Sequence, residues 1–404
     1  MKIKKFFILV ILTIILLSLS GCYDAHGIEE FSYATALGLD VSENKLLSLT
    51  LQISIPSTTS ESGSSQSSKT DTITVECNSI NSGISLINSY ISKEVNLSHC
   101  KVIVISEELA YQGLSEYVDT FANTVEIRPD CNIIIAKCSA KDFIENASPS
   151  IDTLTARYYE VALKSSEYTG FTTSTKSVDF IGDMKTTFVQ AHAILGNLKL
   201  ENRNTELNSA LDNIYKAGET PIEGSTNIEF FGTAVFRDDK LVGELNGIET
   251  ICYLLVTNGF KNCTLSIPDP FNINSSVDLR LNKKRNSKVS VDFVNNSPYI
   301  SVEVFLEGYG ISLDESTDYS SVEDISILNN YAEQYLKLQL ENYLYKTSKE
   351  LNSDISGFGK YALSKYLTWD EWISSNWLEN YKNSFFNVKV HVNIQSGGEF
   401  NKSP

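Results

Sequence analysis

The most specific chemistry in the chain is gathered at Cys22. It closes the stretch Leu19-Ser20-Gly21-Cys22, behind a basic tip of Lys2, Lys4 and Lys5 and an apolar run from Phe6 to Leu19. Basic tip, apolar run and small residues before a cut site are the parts of a secretory signal. A leucine, two small residues and an obligatory cysteine further make a lipobox, in which the thiol is alkylated with diacylglycerol and the chain is cut just before it. Cys22 is then the first residue of the mature protein. The apolar run holds 14 residues, against the ~20 that a helix needs to cross a hydrocarbon core, so a cleaved signal is expected rather than a permanent helical anchor. With each buried methylene contributing ~0.8 kcal/mol, two or three acyl chains hold a protein durably where one would not.

Other reactive side chains form no recognisable constellation. The four histidines, His26, His99, His192 and His391, are scattered, and none stands at metal-ligand spacing from Cys, Asp or Glu. His99 and Cys100 are adjacent, but neighbours on a strand point to opposite faces and cannot readily share an ion. No G-x-S-x-G, S-x-x-K, H-E-x-x-H or G-x-x-x-x-G-K-[ST] motif occurs. The acidic pairs Asp238-Asp239 and Asp370-Glu371 fall where a turn and a helix start are expected, so solvated or dipole-facing carboxylates fit them better than acid/base work. Trp369, Trp372 and Trp377 suit the apolar face of a terminal helix, with a ligand pocket the lesser alternative. Gly357-Phe358-Gly359 reads as a helix cap or bend before it reads as a phosphate contact. No enzyme, cofactor or metal is expected.

Composition narrows the class. Of the 404 residues, 21 belong to the signal, leaving 404 − 21 = 383, more than one core usually serves, so two or three domains are expected. Removing the three signal lysines takes the net charge from −17 to −20, which argues against nucleic acid and against broad electrostatic docking on anionic lipid. No later apolar run is long enough to span a bilayer, so the body should be soluble and extracytoplasmic. The remaining cysteines, Cys77, Cys100, Cys131, Cys138, Cys252 and Cys263, are even in number, which permits disulfides in that compartment without revealing their pairing. Cys131 and Cys138, at odd separation, should not be bonded; Cys252 with Cys263 is geometrically allowed.

The elements that must position these residues read as α+β. Phe31 to Asp40 and Leu46 to Ile55 make a hairpin, followed by a Ser/Thr-rich loop from Ser57 to Thr70 and a strand over Thr72 to Cys77. A helix from about Asn81 to Glu94 presents Ile84, Ile87, Tyr90 and Ile91. The doubly apolar runs Lys101 to Ile105 and Asn132 to Ala136 predict parallel strands covered on both faces, joined by a helix from about Glu107 to Ala122. Ser139-x-x-Asp142 opens a further helix. Polar residues from Leu200 to Ser225 mark the main boundary. Beyond it lie a hairpin (229–243), a helix (250–257) and half-buried antiparallel strands over 278–307. A long helix starts at the Ser321-x-x-Asp324 cap, with Leu328, Tyr331, Tyr335, Leu338 and Asn342 on its stripe, and a strand over Asn387 to Ile394 ends the chain.

Several blocks, in order, resemble the Ger(x)C family, the C subunits of spore germinant receptors. They are Gly21-Cys22-Tyr23-Asp24 with Ala36-Leu37-Gly38-Leu39-Asp40; Leu97-Ser98-His99 through Ala110; Glu126-Ile127-Arg128-Pro129-Asp130; Gly232 to Phe236 with Asp239 to Gly243; and Ser353 to Gly359 with Trp377 and Val388-Lys389-Val390. Family members usually carry tryptophan where Tyr23 stands. The resemblance implies a three-domain mixed α/β fold and a non-catalytic, lipid-anchored subunit. It would lie on the outer face of the inner spore membrane beside a multi-spanning A subunit and a transporter-like B subunit, with small-molecule germinants acting through the complex. The expected division is signal 1–21, an N-terminal domain 22–200, a linker 201–225 and a C-terminal domain 226–404 with a further division near 280. The alternative reading is a free-standing extracytoplasmic solute-binding lipoprotein, which should show a deep interdomain cleft.

Overall fold

The computed structural model describes residues 2–18, 27–55, 70–123, 127–147, 154–199, 214–272, 275–312, 319 and 321–395. The lipobox, most of the Ser/Thr-rich loop and the first half of the expected linker lie outside the described residues. Within them the chain is α+β, built on one mixed and one largely antiparallel sheet.

Phe31–Val41 (β1), Leu47–Ser54 (β2) and Thr70–Cys77 (β3) form an antiparallel meander, as the alternation and turn residues require. Glu94–Asn96 (β4) lies parallel to the start of β1. Val102–Ser106 (β5), Asn132–Ala136 (β6) and His192–Leu198 (β7) continue from β1 in parallel, and Ile228–Arg237 (β8) with Lys240–Leu245 (β9) close the sheet antiparallel. Apolar runs are needed in β5 and β6 because both faces are covered. Ile103, Ile105, Ile133 and Ile135 enter one core, while Val102, Val104, Ile134 and Ala136 enter another.

The hairpin β8–β9, expected at the start of the C-terminal domain, pairs through β7 with the first sheet. Its alternation serves two cores: Ala234 and Phe236 face the first-sheet interior, and Val235 and Leu245 face the second lobe. The sheet therefore runs past the expected linker at 201–225.

The helix Gly247–Thr257 follows, closed by a reciprocal Asn246/Glu249 cap. Asn262–Pro268 (β10), Ser276–Lys283 (β11), Lys288–Val294 (β12), Ser297–Ser312 (β13) and Phe385–Gln395 (β14) make the second sheet, in the order β10-β11-β13-β12 with β14 parallel to β13. Residue 280, where a further division was expected, lies inside β11, which is paired along both edges. The helix Val322–Tyr345 packs over β14. Its Glu333 Oε1 and Asn329 Oδ1 accept the edge amides of Val392 (2.9 Å) and Ile394 (2.7 Å), so the edge is not left open to another chain.

Local differences have local causes. The helix expected to Ala122 is two helices, Glu107–Gln112 and Ser115–Asn123, broken by Gly113 at φ +123°. The helix placed over 81–94 spans Ile80–Tyr90; it buries Ile80, Gly83 and Ile87 and leaves Tyr90 exposed. In the long helix the buried stripe is Leu328, Ala332, Leu336, Leu340, Tyr343 and Leu344, following the i, i+4 ridge, and Leu338 is exposed.

Gly232, in β8 at φ +91°, sits where a Cβ would meet the Leu245 carbonyl oxygen at 2.3 Å. Gly232→Ala should lower the unfolding free energy by about 2 kcal/mol or more, read by chemical denaturation, because both backbone strain and the β8–β9 pairing oppose the methyl group.

Candidate functional site

The block Ser353 to Gly359 is the meeting point of the two lobes. Asp354 is fully buried, and its carboxylate accepts hydrogen bonds from Phe358 N (3.0 Å), Gly359 N (2.9 Å) and Trp377 Nε1 (2.8 Å). Burial nevertheless pushes this carboxyl up to about 6. Its main-chain oxygen accepts from Gln190 N at 3.0 Å, and Ser353 Oγ donates to the Phe236 carbonyl, both across the lobes. Trp372 Nε1 donates to Thr187 Oγ1 at 2.8 Å, and Arg237 pairs with Glu379. Gly359 is required by close approach, since a Cβ there would lie 2.4 Å from the Phe188 carbonyl oxygen. Trp372 and Trp377 are therefore core, stacked at 6.0 Å, whereas Trp369 is largely exposed. Gly357, at φ +70°, turns the chain into the clamp; the glycine pair holds backbone, not phosphate.

The other singled-out residues are occupied structurally. Asp239 accepts from Ser115 N and Oγ, holding the break between the two short helices. Glu371 forms a reciprocal cap with Thr368. The ring of His99 lies 4.5 Å from that of Tyr33 and Cys100 is buried beside it; His391 contacts Glu303 at 3.0 Å. His192 is buried against Tyr253, whose hydroxyl is 2.9 Å from Nε2, and desolvation, aided by the charge of Lys360, pushes its pKa down to about 4. Among the described residues no group of three His, Cys, Asp or Glu is placed to hold a metal. Cys77, Cys100, Cys131, Cys138, Cys252 and Cys263 are all free thiols, so Cys252 and Cys263 are not bonded. The close pair is instead Cys100 and Cys131, with sulfurs 3.9 Å apart; contact with Cys100 and burial together hold the Cys131 thiol well above its usual range and make it a poor nucleophile.

The same thiols stand near a cavity of about 310 Å³ at the N-terminal ends of β5 and β6. Its walls come from three places: the strand entries (Cys100, Lys101, Arg128, Asp130, Asn132), the helix Thr155–Leu163 with the residues after it, and an extended strap through Ser174 and Lys176. The strap is tied to β6 by Ile133 N to Thr175 O (3.1 Å) and Ser177 N to Cys131 O (2.7 Å). Arg128 binds Asp130 through two hydrogen bonds, of 2.9 and 3.1 Å, which lower the Asp130 pKa. Lys101 and Lys164 approach Glu160 more loosely, at 3.6 and 3.4 Å, and hold it ionised. Sequence reading missed this cavity because its walls are distant in the chain and carry no motif.

Leu19, Ser20, Gly21 and Cys22 lie outside the described residues. The apolar run before them is helical over Lys2–Ser18, and among the described residues no helix is long and apolar enough to cross a membrane.

Two joined α+β lobes, in which the candidate groups described above serve packing and capping, define the class of fold. Comparison with known proteins gives the class a family. A model of the spore germination protein N-terminal domain matches residues 24–200, and a model of the spore germination B3/GerAC-like C-terminal domain matches residues 231–398. The chain belongs to the GerAC-like family of spore germination proteins. It is 20% identical to spore germination protein KC of Bacillus subtilis (strain 168), over 98% of this chain and 97% of that protein. It is 19% identical to YfkR of the same organism, a protein named provisionally for spore germination, over 96% of both. The crystal structure of the GerBC protein aligns with 92% of this chain and 99% of that one, at 17% identity and a TM-score of 0.49.

Two measurements check the clamp and its surroundings. In Asp354→Asn an amide NH2 would replace an oxygen, either the Oδ2 that accepts two donors or the Oδ1 that accepts one, so the variant should lose about 2 to 3 kcal/mol of unfolding free energy in denaturant titrations. For His192 the folded pKa, about 4, lies below the usual 6.5. Between these values the unfolded chain binds the extra proton, so stability from the neutral imidazole is present above pH 6.5 and is lost as pH falls toward 4. His192→Gln should accordingly lose less stability than the parent between pH 6.5 and 4.5, measured by thermal midpoint against pH.

Proposed function

We propose that the chain is the C subunit of a spore germinant receptor, held by lipid on Cys22 at the outer face of the inner spore membrane. It would work there beside the multi-spanning A subunit and the transporter-like B subunit, without catalysing a reaction itself. The observation that carries this reading is the order of features along the chain. A signal-like helix over Lys2–Ser18 is followed by Leu19-Ser20-Gly21-Cys22, and the germination-domain matches begin two residues later, at 24, and run to 398. The structure adds support for a binding scaffold: Asp354 is engaged by Trp377 and two backbone amides, His192 by Tyr253, and Trp372 by Thr187.

A solute-binding lipoprotein would be expected to open and close about a cleft between its lobes. Here the lobes share the β8–β9 hairpin between two cores and are pinned by Asp354, Ser353 and Trp372. That arrangement favours a rigid subunit within an assembly, so a germinant would act through the complex.

Cys22→Ala tests the anchor. The variant should lose incorporation of a fatty-acid label, leave the membrane fraction when expressed without its A and B partners, and fail to support germination. Retention in detergent-extractable membranes without partners would mean that lipid on Cys22 is not what holds the protein.

A further inference from the structure

We propose that Cys100 and Cys131 are a disulfide-forming pair that staples the entries of β5 and β6 once the chain reaches an oxidising compartment. Their sulfurs are 3.9 Å apart and both residues are 1% exposed. A disulfide brings its sulfurs to ~2 Å, so each has to move only ~1 Å. The strand ladder supports the closure. Val102 faces Asn132, and Asn132 N donates to Lys101 O at 2.9 Å, so the two strands stay paired up to the cysteines themselves. Carrying that register back sets Cys131 opposite Lys101, one residue along from Cys100. A spacing of ~4.8 Å between strands and a rise of ~3.3 Å along them then give α-carbons ~6 Å apart, within the ~4.4–6.8 Å of bridged cysteines.

The other thiols are placed elsewhere. Cys77 ends β3, where its Sγ donates to Leu47 O; Cys138 follows the opposite end of β6; Cys252 and Cys263 lie in the core of the second lobe. Closure would join positions 31 residues apart, around the helices Glu107–Gln112 and Ser115–Asn123. A loop of that length lets a cross-link restrict the unfolded chain appreciably. It would also tighten the strap, because Ser177 N is bonded to the Cys131 carbonyl oxygen at 2.7 Å. The chemistry is thiol–disulfide exchange. One cysteine thiolate attacks the disulfide of an oxidant, an exported protein disulfide or oxidised glutathione, and releases one thiol from it; the second cysteine then displaces the other. The two cysteines lose two protons and two electrons in forming Sγ–Sγ, and the oxidant's disulfide is reduced to two thiols. Contact with Cys100 and burial hold the Cys131 thiol well above its usual range in the folded state, so the exchange belongs to folding, before the strap covers the pair.

The proposal rests on the reading that the chain is exported, and its test separates the two. Protein from the membrane fraction would be unfolded without reductant, its thiols capped with N-ethylmaleimide, and a tryptic digest examined by mass spectrometry. The expected product is a linked pair of peptides, 94–101 and 102–137, lighter than their sum by two hydrogens, with Cys77, Cys138, Cys252 and Cys263 capped. Separately capped Cys100 and Cys131, in protein whose Cys22 carries lipid, would overturn the proposal, since that lipid marks export. A Cys22 without lipid would count against the export reading instead. The pair is then decided on the purified Cys22→Ser chain, unfolded and refolded in a mixture of reduced and oxidised glutathione. In the fraction that regains its melting transition the same linked peptides are expected; their absence, or a different dominant pairing, rules the pair out. Reductant should lower the melting midpoint of the linked protein by ~5 °C or more and leave that of Cys100→Ala unmoved. Equal midpoints with and without reductant would contradict the staple.

Discussion

A carboxylate sealed between two lobes costs several kcal/mol in lost hydration unless donors replace the water, and Asp354 is such a group. The chain answers with two backbone amides and an indole N–H, and those three donors dictate much of what surrounds them. Phe358 N and Gly359 N can reach the carboxylate only if the backbone turns sharply at Gly357 and begins a new helix at Gly359–Leu363. Trp377 must hold its ring edge toward Asp354, which sets its stack on Trp372 and its contacts with Tyr381 and Phe293. Trp372 then reaches Thr187 in the other lobe, close to where Gln190 N binds the Asp354 main-chain oxygen. One buried charge thus fixes both the local turn and the seating of one lobe on the other.

The hairpin β8–β9 makes the same junction from the other side. Because successive strand residues face opposite ways, one hairpin supplies Ala234 and Phe236 to the first core and Val235 and Leu245 to the second. Hinge motion between the lobes would have to break apolar packing on both faces of a strand as well as the Asp354 clamp. A body of this kind suits a protein that transmits contacts within an assembly, because a displacement imposed on one lobe is carried to the other without loss in a flexible joint. The charged cavity sits in the first lobe, at strand ends that lead directly into the shared sheet.

Much of the fold could be read in the residues. The doubly apolar runs of β5 and β6, the meander β1–β2–β3 and the serine caps at Ser139 and Ser321 announce themselves locally, since each depends on periodicity or on a side chain bonding an amide three residues away. Other features could not be, for physical reasons. A strand packed between two cores has the same alternation as one packed on a single core, so the hairpin β8–β9 is legible as a hairpin while its pairing with β7 is not. β10 is a short alternating stretch, Asn262 to Pro268, that becomes a strand through pairing with β11. The stripe on the long helix shifted from Leu338 to Leu336 and Leu340 because packing on β14 selects a ridge that the sequence leaves ambiguous. The clamp was visible only as a resemblance block, and the approach of Cys100 to Cys131 emerges from strand register, which no spacing reveals.

The most direct test of the account as a whole is recovery of the protein from the inner membrane of dormant spores through a C-terminal tag, with mass spectrometry of its partners and of its N-terminal peptide. The account predicts multi-spanning receptor subunits in the eluate and a first peptide that begins at an acylated Cys22. Recovery of the protein alone, with an unmodified Cys22 or an uncut signal, would contradict it.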